Sequence, residues 1–211
     1  MVSRNNARCG RTAGLLFIAV TGIPLIVFTD HLTTQICDCL SFPNGLSYTK
    51  NLVEKVVREL RNAFGEFATG VCVVAATDQS GEVIGVTVNS FSSVSLEPAL
   101  ALWSIQNNSE LFAFWCSQPR YSISILASDQ ESLSNQCAKP SQHSLGEHQF
   151  ELGKHGTPLI VGAAAHFELG LTQVVPAGDH HIIIGEILSY QVSDGRAPLL
   201  FHKGQYRALA S

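Results

Sequence analysis

At 211 residues, with 45% hydrophobic and 14% charged residues and a mean hydropathy of +0.18, the chain has the make-up of one well-cored domain with an appendage. Those proportions exclude a disordered polypeptide. A formal net charge of -4 and the lack of any Lys/Arg-rich stretch exclude the electrostatic footprint of a nucleic-acid binder.

The first element in chain order is an apolar run over residues 14–28, preceded by Arg4, Arg8 and Arg11 and followed by Asp30. It is shorter than the roughly 20 residues of a membrane span, so a membrane protein is not expected. Its basic flank imitates a secretory signal, yet no small-x-small cleavage site follows and Pro24 would kink a helix there. Residues 1–49 are therefore expected to be an extension: signal-like, locally packed, or upstream of the native start, and poorly ordered. Cys37 and Cys39 with His31 are spaced more tightly than the gap of about two to four residues usual for zinc, and no second pair follows. No metal site is expected. The remaining cysteines, Cys9, Cys72, Cys116 and Cys137, are scattered, and Cys72 and Cys116 fall in or near apolar runs that suit free thiols.

From Lys50 the pattern turns helical. Val53, Val56, Val57, Leu60, Phe64 and Phe67 recur at three- and four-residue spacing, with charged residues elsewhere around the wheel, so the stripe is expected to lie on a larger core. Ser47 or Thr49 could cap the start, and Gly65 or Gly70 the end. Strands are expected at residues 71–76 and 82–88 around the turn Asp78-Gln79-Ser80-Gly81, then at 100–105, 121–126, 163–175, 181–192 and 198–206. Short helices are expected at 109–116 and 129–138. Many strands, few helices and no β-α alternation favour a mainly β protein, a β-barrel with flanking helices, over residues 50–211.

The familiar glycine cradles for nucleotides are missing, as are the H-E-x-x-H and G-x-S-x-G motifs. The densest polar feature is Thr87-Val88-Asn89-Ser90-Phe91-Ser92-Ser93-Val94-Ser95, in which small hydroxyls and an amide alternate with apolar residues. Such a mixture suits a ligand with a phosphate, a polyol and an aromatic ring, and equally suits a serine-rich loop. A second feature is Gly178-Asp179-His180, where glycine permits a tight turn and Asp179 could fix the tautomer of an imidazole able to meet a nicotinamide. His143, His148 and His155 are read as solvated loop residues.

Taken in order, residues 60–74 (LRNAFGEFATGVCVV), 85–98 (GVTVNSFSSVSLEP), 177–180 (AGDH) and 198–209 (PLLFHKGQYRAL) resemble the flavin reductase family, the small components of two-component flavin-dependent monooxygenases. The resemblance implies an FMN-binding split barrel, usually a homodimer with flavin near the subunit interface. It implies FMN or FAD as acceptor, NADH or NADPH as donor, a cytoplasmic setting and a reduced-flavin-dependent monooxygenase as partner. By the same resemblance Thr87, Val88, Asn89, Ser90, Ser93 and Ser95 would line the flavin, Lys139 would be a further phosphate partner, and His180 would position the nicotinamide. Ser124 stands where relatives often carry asparagine, and its shorter reach puts a flavin contact there in question. Leu169 replaces a frequent cysteine, and Cys137 a common aromatic. Other readings are a flavin-binding protein without turnover, and a non-flavin interaction barrel anchored by residues 14–28. A pyridoxamine-oxidase-like enzyme would need a basic cluster for its substrate phosphate, and none is evident.

Overall fold

The computed structural model describes residues 14–20, 23–29 and 45–209, and the chain divides into two compact units, residues 1–57 and 58–211. In the first unit, β1 (Gly14–Val20) and β2 (Ile23–Thr29) pair antiparallel from Gly14↔Thr29 to Val20↔Ile23. The apolar run is thus a ribbon of strands, in keeping with its β-branched content. Cys9, His31, Cys37 and Cys39 lie outside the described residues. Helix α1 (Gly45–Phe64) begins ahead of both expected caps and stops before Gly65, whose N–H closes the last turn on the Arg61 carbonyl (2.9 Å).

Short β3 (Thr69–Gly70) leads into β4 (Cys72–Thr77), β5 (Val83–Val88), β6 (Ser92–Leu96) and β7 (Ala99–Gln106). Helix α2 (Phe112–Ser117), β8 (Arg120–Ile125) and helix α3 (Glu131–Cys137) come next. Helix α3 falls within its expected range, and α2 starts later and ends one residue beyond its own; residues 109–111 form a turn ahead of α2, held by Phe112 N–H on the Ser109 carbonyl (3.1 Å). Then follow β9 (Phe150–Leu152), β10 (Pro158–Ile160), the long hairpin β11 (Ala165–Ala177) and β12 (His180–Val192), and β13 (Leu200–His202) with β14 (Gln205–Arg207). The stretch 198–206 is two strands because Lys203 and Gly204, at φ of 52° and 74°, turn the chain back.

Seven strands form one antiparallel sheet in the order β5-β4-β8-β11-β12-β7-β6. Its two outermost strands, β5 and β6, are consecutive in sequence, joined by Asn89, Ser90 and Phe91 alone. Laid flat, the sheet would hold those strands about 29 Å apart, six gaps of about 4.8 Å. The link from Val88 to Ser92 spans at most about 14 Å. The sheet therefore has to curl, bringing the linked ends of its two edge strands within about 14 Å of each other across the serine-rich segment. Two contacts register the curl: the Phe91 ring stacks on Phe167 of β11 (5.7 Å), and Ser90 Oγ accepts the Ser104 N–H of β7 (2.9 Å).

The core explains why β4 reads as an unbroken apolar run. Cys72, Val74 and Ala76 join Trp103, Trp115, Tyr121, Ile123, Leu169 and Ile183 on one side. Val71, Val73 and Ala75 join Leu126, Leu133, Cys137, Leu145, Ile160 and Leu199 on the other. With a period of two and both faces covered, every position must be apolar.

The stripe of α1 departs from expectation. Leu60 is 52% and Phe64 70% exposed, as is Phe67 just beyond, at 77%. Helical spacing reveals a face that needs covering; it does not say what covers it.

Candidate active site

The serine-rich segment is half strand and half link. The Val88 side chain is buried in the core, so of the expected flavin contacts it can offer only its backbone. Thr87 Oγ1 donates to the Ser134 carbonyl of α3 (2.7 Å), which leaves it lone pairs and no free proton. Ser90 accepts from β7 as described, and Ser95 Oγ accepts the Glu97 N–H (3.2 Å), its own proton without an acceptor among the described residues. Asn89 and Ser93 are exposed, and no hydrogen bond of the Ser93 side chain is seen among the described residues. Strand β6 is an outer strand of the sheet, bulged between Ser93 and Ser95. It therefore presents backbone N–H groups together with small hydroxyls, a donor set that fits the phosphate and polyol of a flavin.

Ser124 departs from its expected role. It is fully buried, with Oγ accepting the Ile160 N–H (3.1 Å) and meeting His166 Nδ1 (3.1 Å). Burial pushes the His166 imidazole below its ordinary pKa, with Glu151 partly opposing. The neighbouring serine on the same face, Ser122, is also buried and donates to the Pro158 carbonyl. Strand β10 thus covers this side of β8, and a serine that stitches two strands has no face left for a ligand. Lys139 lies just past α3, exposed.

The turn carrying His180 is the tip of the β11–β12 hairpin. Ala177 pairs with His180, leaving Gly178 and Asp179 as a two-residue loop, and Gly178 takes φ of 66°, which a side chain would resist. His180 Nδ1 lies 2.7 Å from Asp179 Oδ1. A carboxylate only accepts, so Nδ1 carries the proton and Nε2 is left as an acceptor. The hydrogen bond from His180 holds the Asp179 carboxyl below the usual range.

Register brings the two features to one corner of the sheet. Ser90 stands beside Ser104, Ser104 pairs with Ile182, and Ile182 is two residues from His180, whose own partner on β7 is Gln106. At about 3.4 Å per residue and 4.8 Å per strand, Ser90 and His180 lie on the order of 12 Å apart across the sheet.

A cavity of about 460 Å³ adjoins this corner, walled by Phe64, Phe67 and Phe201 and edged by Arg61 and Asn89. Thr69 also lines it, its Oγ1 buried and with no hydrogen bond among the described residues. Arg61 lies close enough to Asp179 for its charge to act on that carboxyl. The opening motif at residues 60–74 thus includes much of the cavity wall, a role that periodicity alone could not reveal. Burial pushes the Cys72 and Cys137 thiols up to about 12.

A curled antiparallel sheet whose two edge strands are linked through a hydroxyl-rich segment, with an imidazole turn at the same corner, is consistent with a split barrel. The sequence matches the flavin reductase like domain over residues 64–210, most of its length, and the chain belongs to that family. It is 41% identical over 150 residues to the reductase component of a flavin-dependent trigonelline monooxygenase from Acinetobacter baylyi, covering 71% of this chain and 48% of the relative. It is 40% identical over 149 residues to an FMN reductase (NADH) from Agrobacterium fabrum, covering 71% of this chain and 84% of that protein. An NADH:FAD oxidoreductase of Streptomyces globisporus, solved in complex with NAD and FAD fragments, superposes with a TM-score of 0.69 at 34% identity, over 74% of this chain and 94% of that one. The chain spans about half the length of the first curated relatives it matches, 48% of each.

Proposed function

We propose that the protein is an NAD(P)H-dependent flavin reductase that passes hydride to FMN or FAD and supplies reduced flavin to a partner monooxygenase. The observation that carries this reading is the register that sets the hydroxyl-bearing edge strand and the His180 turn at one corner beside an aromatic-walled cavity. Residues 50–211 form the catalytic body, and residues 1–49 an extension to it. Use of NAD(P)H fits a cytoplasmic setting.

A bound flavin supplies the hydride acceptor, and the reduced nicotinamide the donor. What the chain contributes is placement. Asn89, Ser90, Ser93, Ser95 and the N–H groups of β6 hold phosphate and polyol oxygens, and Lys139 is a further candidate for the phosphate. His180, its Nδ1–H held by Asp179, presents Nε2 as an acceptor suited to a carboxamide N–H. It positions and transfers no proton. The exposed apolar residues Leu60 and Phe64 of α1, and Phe67 just beyond, offer apolar surface on which a second copy would pack, giving a homodimer.

Anaerobic mixing with FMN or FAD and each reduced nicotinamide tests the reading: bleaching of the flavin is expected, and flavin that stays oxidised with both donors rejects it. His180→Ala is expected to slow reduction while leaving flavin affinity nearly intact; equal losses in titration and stopped-flow reduction would remove its assigned role.

A further inference from the structure

We infer that Asn107 is the positioning residue for His180, an inference that rests on His180 being the group that orients the nicotinamide.

The outer half of the β11–β12 hairpin is poorly supported. Strand β11 pairs with β8 as far as Gly170↔Arg120, and the Leu171 N–H still donates to the Pro119 carbonyl (2.9 Å); from Thr172 to its tip, β12 is its one strand partner among the described residues. The tip is exposed, with the Asp179 side chain 93% open to solvent. Strand β12 is held on its other side by β7, but that pairing ends at His180↔Gln106. A glycine-containing turn beyond the last rung would let the imidazole wander.

Asn107 is the next residue after that rung, and it grips the turn three times. Its backbone N–H donates to the Asp179 carbonyl (3.0 Å), and its Nδ2 donates to the Gly178 carbonyl (3.1 Å). Its Oδ1 meets His181 Nδ1 (2.7 Å). A single orientation of the amide satisfies both side-chain contacts, with oxygen toward the imidazole N–H and nitrogen toward the carbonyl. The His181 ring is in turn held edge-on by Phe112, the first residue of α2, at 4.9 Å. Asn107 therefore fixes residues 178, 179 and 181 and makes no hydrogen bond with His180 itself. It acts on His180 from both flanks. Its exposed position makes global stability a poor explanation for three convergent bonds.

Asn107→Ala removes both side-chain bonds and keeps the backbone one. Bonds of this kind contribute about 1 kcal/mol each, so KM for the reduced nicotinamide should rise about 5- to 30-fold, while kcat and flavin Kd stay within about 2-fold. In a His180→Ala background the same substitution should add less than about 2-fold, because the residue it acts through is gone. In the protein without ligands, the ring nitrogen signals of His180 and His181 should both move in Asn107→Ala. Unmoved ring signals, an unchanged KM, an equal loss of flavin affinity, or a full additive effect in the His180→Ala background would each overturn the inference. Wild-type protein that fails to reduce flavin would instead sink the proposed reaction, and the ring signals would then decide the placement of His180 by Asn107 on their own.

Discussion

Hydroxyls that look alike in the sequence differ in what their protons are doing. Those of Ser93 and Ser95 have no acceptor among the described residues, whereas the Thr87 proton is spent on α3 and the Ser122 proton on the Pro158 carbonyl. Ser93→Ala combined with Ser95→Ala is therefore expected to weaken FMN binding about 10-fold or more, read by fluorescence quenching; unchanged affinity would remove the phosphate assignment. Glu168 is a carboxylate only 2% exposed, bonded by Ser189 Oγ (2.7 Å), Thr157 Oγ1 (2.8 Å) and the His155 N–H (2.8 Å). Burial alone would raise its pKa, but the bonds from Ser189, Thr157 and His155 outweigh it and hold the group below the ordinary 4.5. With the folded-state pKa lowered, its stabilisation is complete above the unfolded value and is lost as pH falls through the folded one. Glu168→Ala should cost about 2–4 kcal/mol at pH 7 in urea denaturation. The gap from wild type should close as pH falls below that range, and a gap constant down to pH 3 would contradict the account.

At the scale of elements, strand β12 shows how tightly the sheet faces its core. A side chain at Gly185 would collide with the Tyr121 hydroxyl, which is itself buried and lacks a partner. Gly185→Ala should lower stability by about 2–3 kcal/mol by overpacking. Tyr121→Phe should be neutral or stabilising by about 1 kcal/mol, and should relieve part of the Gly185→Ala loss when the two are combined. Melting curves of the three variants test this, and strictly additive effects would place the clash elsewhere. Strand β4 was legible in the sequence because burial on both faces leaves only apolar choices. Strands β9 and β10 were not, since three residues each carry too little periodicity to register. Ser124 enters as a possible ligand contact through the family resemblance, and only β10 shows that the serine face of β8 is covered.

For the whole molecule, the open question posed by the surface is what lies over Leu60 and Phe64. If a second copy covers them, sedimentation equilibrium should give twice the chain mass at micromolar concentration, and Leu60→Asp should shift that equilibrium toward the single chain. A wild-type protein that sediments as one chain would refute the homodimer. The His180 turn and the serine-rich segment belong together for a related long-range reason. They are about 90 residues apart along the chain and share a corner only because β7 pairs with both β6 and β12.

By itself the sequence determined the mainly β class, an end of α1 at Gly65 or Gly70, most strand positions, and the residue types that a flavin and a nicotinamide call for. These follow from local rules: backbone freedom at glycine, alternation along strands, and the order of short motifs. Tertiary structure alone decided which hydroxyls remain free, that Ser124 is an interior stitch, that Arg61 and three phenylalanines wall a cavity, and that Asn107 braces the His180 turn. Each of those depends on strands pairing across tens of residues, and long-range register leaves no mark on the local pattern from which a sequence is read.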